Sequence, residues 1–315
     1  MSNNVCALLG IRYPILQGAM TLVTDVGLVS AVSNAGGLGI YAGGIDNIDI
    51  EYMREQIRGL KKATSKPFGF NIVLSSQYAS QLVDLVCEES VPVITTGAGS
   101  PAKHMGKLKE AGIIVAPVVP SKKVAQKMEA AGADMLVVEG MESGGFIGGA
   151  TTMALIPQVV DAVSIPVVAA GGIADGRGMA AAFMLGAQGI QMGTRFLASQ
   201  ECAIADAFKD AVVKAELEDA MVVGTRIGTP MQNRTLRNTI AEAIKAYEIT
   251  DGASIEEYDR MFVEARNRFV KGDADMSLLG LGQGVGLVNR VQSVSDIIRD
   301  IVREYNQAIA KAVTL

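Results

Sequence analysis

Two glycine turns, each at the end of an apolar run, carry the clearest chemistry in this chain. Gly171-Gly172 follows the apolar run IPVVAA at 165–170, and Gly193-Thr194 follows GIQM at 189–192. Bare amides at successive strand ends let a phosphate come close to the backbone and be held by N–H groups. One such pair reads as a tight turn. Two, separated by the length of one helix, read as a phosphate site.

Other apolar runs also end in small or neutral polar groups: Gln17-Gly18-Ala19-Met20, Asn71, Thr95-Thr96, Glu139, Ser143-Gly144-Gly145, Ala170 and Gln191-Met192. Together they describe a flat, backbone-lined cavity with few charges, suited to a planar, hydrogen-bonding ligand that carries a phosphate. Flavin mononucleotide (FMN) meets that description, with amides free to meet the heteroatoms of its ring. No Ser/His/Asp set exists, because the sole histidine is His104, and no metal-ligand spacing is present. Glu139 and Glu142 are a candidate carboxylate pair for acid/base work, against ordinary roles at a strand end and as a loop cap. Asp25 and Asp175 stand ahead of helical runs and read as caps. His104 is either a surface helix residue or a proton donor to substrate. Phe146, in the loop SGGFIGG, either stacks on a planar ligand or plugs the loop.

The elements that must position these groups alternate regularly. Short apolar runs at 13–20, 36–44, 67–74, 91–99, 113–119, 134–140, 165–170 and 189–192 read as strands. Helical patterns lie between them, at 25–34, 50–63, 77–89, 121–131, 152–163 and 177–185, and Ser100-Pro101 supplies a cap and first-turn proline for another. Continuous apolar strands in βα repeats imply a parallel sheet covered by helices. Eight such units predict a (β/α)8 TIM barrel, with the open doubly wound sheet as the other arrangement, and the glycine pairs fall after strands seven and eight. After residue 200 the pattern turns charged, helical and strandless, before a long amphipathic helix at 293–312. The expected organisation is therefore a barrel over 1–200 plus 291–315, with a helical insertion at 201–290 forming a lid or substrate wall.

Composition narrows the class. The chain has 315 residues, 49% hydrophobic, with a net charge of −5 and no basic block, which argues against nucleic acid or an anionic membrane as partner. Cys6, Cys87 and Cys202 are odd in number and far apart, the usage expected of a reducing cytoplasm. No targeting pattern or membrane-length apolar run is visible.

QGAM at 17–20, KPFGFN at 66–71, TTGAGSP at 95–101, EGMESGG at 139–145, AAGGIADGRG at 169–178 and MGTRF at 192–196 resemble one family, as do LRN at 236–238 and GQGVGLV at 282–288. It is the nitronate monooxygenase and FMN-dependent enoyl-acyl-carrier-protein reductase II family. The resemblance implies a flavoenzyme in which Gly18, Ala19, Met20 and Asn71 lie around the flavin ring and Gly171, Gly172, Gly193 and Thr194 hold its phosphate. The stretch from Glu139 into TTMALIPQVV is most similar to the enoyl reductase branch, implying NAD(P)H-dependent reduction of an enoyl thioester in fatty acid biosynthesis. The substrate would be a small molecule or carrier-bound acyl group, and a homodimer is compatible with the family. Two positions depart from the pattern: Phe146 stands where the family has a proton-handling histidine after Gly144-Gly145, and Ala205 replaces a second histidine. The resemblance then leaves water, Ser143 or His104 as proton sources. Nitronate oxidation, general NAD(P)H:acceptor reduction, and flavin binding without catalysis are the alternatives. A nucleotide dehydrogenase barrel of the inosine-phosphate type would need a loop cysteine, and 141–149 contains none.

Overall fold

The computed structural model describes residues 3–226 and 232–312. Eleven strands lie among them: β1 (Ile15–Gln17), β2 (Leu38–Ala42), β3 (Gly69–Val73), β4 (Val93–Gly97), β5 (Ile114–Val119), β6 (Leu136–Glu139), β7 (Gly145–Ile147), β8 (Val167–Ala170), β9 (Gly189–Met192), β10 (Ala220–Val223) and β11 (Gln232–Leu236). Eight of them close a barrel in the order β1-β2-β3-β4-β5-β6-β8-β9. All pairings in it are parallel, and β1 meets both β2 and β9. The TIM barrel expected from the βα repeat is the fold observed, which excludes the open sheet.

Period-two alternation sorts the strand residues into two cores. Outward residues such as Ile15, Phe70, Ile72 and Ile94 pack under the helices. Inward residues Leu16, Leu38, Ile40, Val93, Ala116, Val137 and Val168 fill the barrel interior. Val5, Leu9 and Ile11 join them, because a short helix over Asn4–Leu9 folds beneath the barrel. Its N-cap Asn3 also donates through Nδ2 to the Gln188 carbonyl at 2.7 Å. That helix has no counterpart in the sequence reading, since six residues give too little periodicity to recognise.

Local capping chemistry sets the outer helices. Asp25 accepts from the Leu28 amide at 2.8 Å, and Asp175 from those of Arg177 and Gly178 at 2.9 and 3.0 Å, as their placement ahead of apolar runs predicts. Ser100 accepts from Ala102, but the turn it opens, Pro101–His104, is 3-10 before the α-helix Met105–Glu110 begins. The terminal helix Val294–Ala312 packs against Gly176–Met184 and Val26–Asn34, completing the outer ring.

The segment after the barrel differs from the expectation of a purely helical insertion. It has helices at Asp206–Lys214, Thr239–Tyr247 and Ile255–Val270, but also β10 and β11. These pair antiparallel, and β11 pairs with β7 from the loop after β6, Asn233 opposite Phe146. The polar run QNRTL hides β11 from a reading based on apolar runs. Its partner is a barrel loop distant in sequence. Within the sheet Arg234 is 4% exposed and donates to the Ala220 and Met141 carbonyls, each at 3.0 Å, fastening the insertion to the barrel.

Candidate active site

The inward residues change character toward the strand ends. Below, the layer is apolar and fully buried; above it stand Asn71, Thr95, Val118, Glu139, Ala170 and Gln191, of which Asn71, Val118, Glu139 and Gln191 are half-buried. Interior positions that solvent still reaches mark a cavity open at the C-terminal mouth, where barrel enzymes work. Gly18 and Ala19 continue β1 into that mouth, Gly18 beside Gln191. Asn71 donates through Nδ2 to Thr95 Oγ1 at 2.9 Å, so two polar side chains are held as one unit.

Register moves two of the expected residues away from the cavity. Thr96 pairs with outward Ile72 and faces the helices, its Oγ1 buried without a partner; Thr95, one residue earlier, takes the inward position. Met192 likewise packs into the outer core. The sequence shows which residues end a strand, but neighbouring residues point to opposite faces and only closure tells them apart. Gln17 is also outward-facing and buried: its Nε2 donates to Gly18 O, and its Oε1 accepts from the Ile40 amide at 3.1 Å, joining β1 to β2.

The glycine loops converge on one side of the mouth. Gly171 and Gly172 have φ of +104° and +70°, and a Cβ on Gly171 would lie 2.8 Å from the Gly140 carbonyl. Only glycine fits there without displacing backbone. Gly193 precedes the short helix Thr194–Leu197, Met20 lies beside it, and Thr194 Oγ1 accepts from the Gly282 amide at 2.8 Å. The turn Gln283–Leu287 brings Gly284 against the Gly172 carbonyl. A third glycine segment, from the insertion, therefore borders the two predicted ones. Its visible signal was the density of glycine in GLGQGVG.

Glu139 and Glu142 do not form a pair. Both Glu142 carboxylate oxygens accept from the Thr152 amide, at 2.9 and 3.0 Å, so it caps the helix Thr152–Val160 in place of Thr151. Thr152 Oγ1 lies 2.9 Å from Glu142 and 3.1 Å from the Gly171 carbonyl, linking the loop after β6 to the glycine pair after β8. Glu139 remains in the cavity wall. Burial pushes its carboxyl up to about 7, with Ser143 pulling weakly the other way. Ser143 Oγ is itself buried without a hydrogen bond of normal geometry, so burial decides the direction.

Phe146 lies on β7 rather than in a bare loop and is 45% exposed, whereas Ile147 on the opposite face is buried. Ile147, not Phe146, plugs this segment. Gly144 precedes the strand, against Leu281 of the insertion, and Gly145 opens it at a φ of +77°. His104 ends the 3-10 turn with Nε2 buried and unpartnered. The charged groups acting on it, Lys103, Asp84 and Lys107, sit on outer helices, and burial holds its imidazole below the usual range. Nothing places it with the strand-end groups. Among the described residues no His/Cys/Asp/Glu cluster has metal-binding geometry, and no helix is long and apolar enough to cross a membrane. Two clefts, of about 310 and 420 Å3, lie beside Arg237 in the insertion and beside Arg12 and Pro67, away from the cavity-wall residues.

Comparison with known proteins agrees with this geometry. The sequence profile of the nitronate monooxygenase family matches residues 2–82 and 74–304. A Mycobacterium tuberculosis protein named (3aS,4S,5R,7aS)-5-hydroxy-7a-methyl-1-oxo-octahydro-1H-indene-4-carboxyl-CoA dehydrogenase is 41% identical over 76% of this chain and 67% of its own. FabK from Thermotoga maritima superimposes with a TM-score of 0.94 at 43% identity, covering 100% of this chain and 99% of that one. Nitroalkane oxidase from Streptomyces ansochromogenes superimposes with a TM-score of 0.83 at 26% identity, covering 98% of this chain and 99% of that one. With an eight-stranded barrel, a half-open ring of neutral polar groups and glycine loops at its mouth, the chain belongs to the nitronate monooxygenase family of flavin oxidoreductases.

Proposed function

We propose that this enzyme uses FMN to reduce an enoyl thioester with electrons from NAD(P)H. The observation that carries the reading is the ring of Asn71, Thr95 and Gln191 beside the converging glycine loops. It offers neutral donors and acceptors on one side and bare backbone on the other, which fits a planar ring with a phosphate tail. Gly171, Gly172, Gly193 and Thr194 would hold the phosphate, and Gly18, Ala19, Met20 and Asn71 would border the ring. Bound there, FMN supplies hydride transfer to carbon. The chain's own part is to orient the acceptor, exclude water and deliver a proton. The sheet of β7, β10 and β11, with the insertion behind it, would form one wall of the substrate cavity.

A thioester acceptor is supported from two sides. FabK, which matches over the whole chain at 43% identity, is an enoyl-acyl-carrier-protein reductase of type II, and the M. tuberculosis relative is named for a CoA-linked substrate. Oxidation of a neutral nitroalkane needs a base to remove a carbon-bound proton, and no histidine stands in the ring. Stopped-flow spectroscopy of the purified yellow protein tests the reading. NADPH or NADH should bleach the flavin anaerobically, and crotonyl-CoA, as the electron acceptor, should then restore its colour. A flavin that crotonyl-CoA does not reoxidise, but that propane-2-nitronate reduces when added to the oxidised protein and oxygen then restores, would replace the thioester by the nitro compound.

A further inference from the structure

An alcohol has one hydrogen to give and two lone pairs to fill. Thr95 is the alcohol among the inward residues at the strand ends. It lies between Asn71 on β3 and Ala116 on β5, and Ala116 belongs to the apolar filling of the barrel, which fixes the threonine on the inner wall. It is 1% exposed. Asn71 Nδ2 donates to its Oγ1 at 2.9 Å, and this limits where the O–H can point, since a hydrogen is not aimed back at a donor. Among the described residues nothing accepts that hydrogen. A donor buried without an acceptor is costly, and one on a cavity wall marks a place where a ligand supplies the acceptor. Thr96, one residue on, gives the contrast: its hydroxyl is also buried and unpartnered, but it faces the outer helices, away from the cavity.

We propose that the Thr95 hydroxyl, aimed by Asn71, donates a hydrogen bond to a heteroatom of the bound flavin ring and raises its reduction potential. This rests on the FMN reading above and holds whichever acceptor the enzyme reduces. The order of the strands supports it. In the closed series β1-β2-β3-β4-β5-β6-β8-β9, β3 and β4 stand across the barrel from β8 and β9, whose ends carry the glycine loops. A ligand anchored by a phosphate at those loops and lying across the mouth meets Thr95 with its far end. The reduced ring holds two more electrons than the oxidised one, so a donor at its heteroatoms favours the reduced form. No proton leaves the threonine, whose part is a fixed dipole rather than an acid. Asn71 is the positioning residue: with its amide on Oγ1, the O–H is turned toward the cavity before any ligand arrives.

Anaerobic reduction of the holoproteins, each reconstituted with excess FMN and held in equilibrium with a reference dye, tests the proposal. Valine keeps the shape of threonine without its O–H, so in Thr95→Val the ratio of reduced to oxidised flavin at a given potential should fall about tenfold, ~30 mV for a two-electron couple. Thr95→Ser, which keeps the hydroxyl, and Thr96→Val, on the outward face, should both hold the native ratio. Asn71→Ala should lower the ratio in the native background and change it less in Thr95→Val, because part of its effect passes through the hydroxyl. A native ratio in Thr95→Val would mean that the hydroxyl does not meet the flavin and overturns the proposal. A valine-like ratio in Thr95→Ser, an equal fall in Thr96→Val, or strict additivity of Asn71→Ala with Thr95→Val overturns it as well. Each of these leaves a yellow native enzyme, and with it the FMN reading, standing. A native protein that takes up no FMN removes both.

Discussion

The two ends of the barrel are built from the same strands and do opposite things. At the N-terminal end Leu16, Leu38, Val93 and Val168 pack against Val5 and Leu9 with no exposed surface worth the name. At the C-terminal end the next inward positions are Asn71, Thr95, Glu139 and Gln191, and several stay open to solvent. One strand thus changes from filler to functional wall in a step of two residues. The lower layer answers to volume and apolar area, the upper one to hydrogen bonding and charge. If that division is right, changes at the bottom lower stability and leave the flavin, while changes at the top lose the flavin and leave the fold.

The sharpest way to break this contrast is Gly172→Asp, which places a carboxylate and a Cβ at a positive-φ glycine in the proposed phosphate loop. Flavin absorbance of the purified variant should vanish while its circular dichroism stays native; a folded variant with full colour would remove the phosphate assignment. Next in size, Leu16→Ala at the buried end should lower unfolding free energy in urea by roughly 3 kcal/mol, with flavin content per folded molecule unchanged.

Glu139→Gln tests the boundary between the layers in the cofactor-free protein. The folded pKa of Glu139 is raised to about 7, above the unfolded value of ~4.3, so the folded state binds the proton more tightly. Its contribution is complete below the unfolded pKa and is lost as pH rises through the folded one. Above pH ~7 the glutamine variant should therefore gain roughly 2 kcal/mol over the native chain, a figure reduced for the partial exposure of the site, with no gain below pH ~4. Equal stability of the two proteins across the range would show that the carboxyl is not desolvated. The smallest effect belongs to neither layer: Asp175→Ala removes a helix cap on the outer ring and should cost about 1 kcal/mol in the same assay, with flavin content unaffected.

Much of the top layer could be read before any coordinates. Gly171-Gly172 and Gly193-Thr194 were legible as glycine turns closing buried strands, and the positive φ of both Gly171 and Gly172 is the local reason for the first. Asp25 and Asp175 were legible as caps for an equally local reason, the helical runs that follow them. Thr95 and Thr96 were not separable, since a strand residue's face depends on register with its neighbours. Glu142 and Glu139 looked like a pair three residues apart, and the contact that divides them comes from Thr152, beyond the loop.

What the sequence determined alone was therefore the part of the molecule that is periodic or local: eight βα units, their caps, the glycine turns, and enough motif to place the chain in its family. Each depends on residues within one helix or turn of each other. Tertiary structure decided the rest. Closure of the barrel chose which strand-end residues face the cavity, and pairing of β11 with β7, with Asn233 opposite Phe146 far away in sequence, turned a predicted loop into a sheet and moved Phe146 onto its exposed face. Those outcomes rest on contacts between segments far apart in sequence, and a polar run such as QNRTL carries no local pattern from which its partner can be inferred.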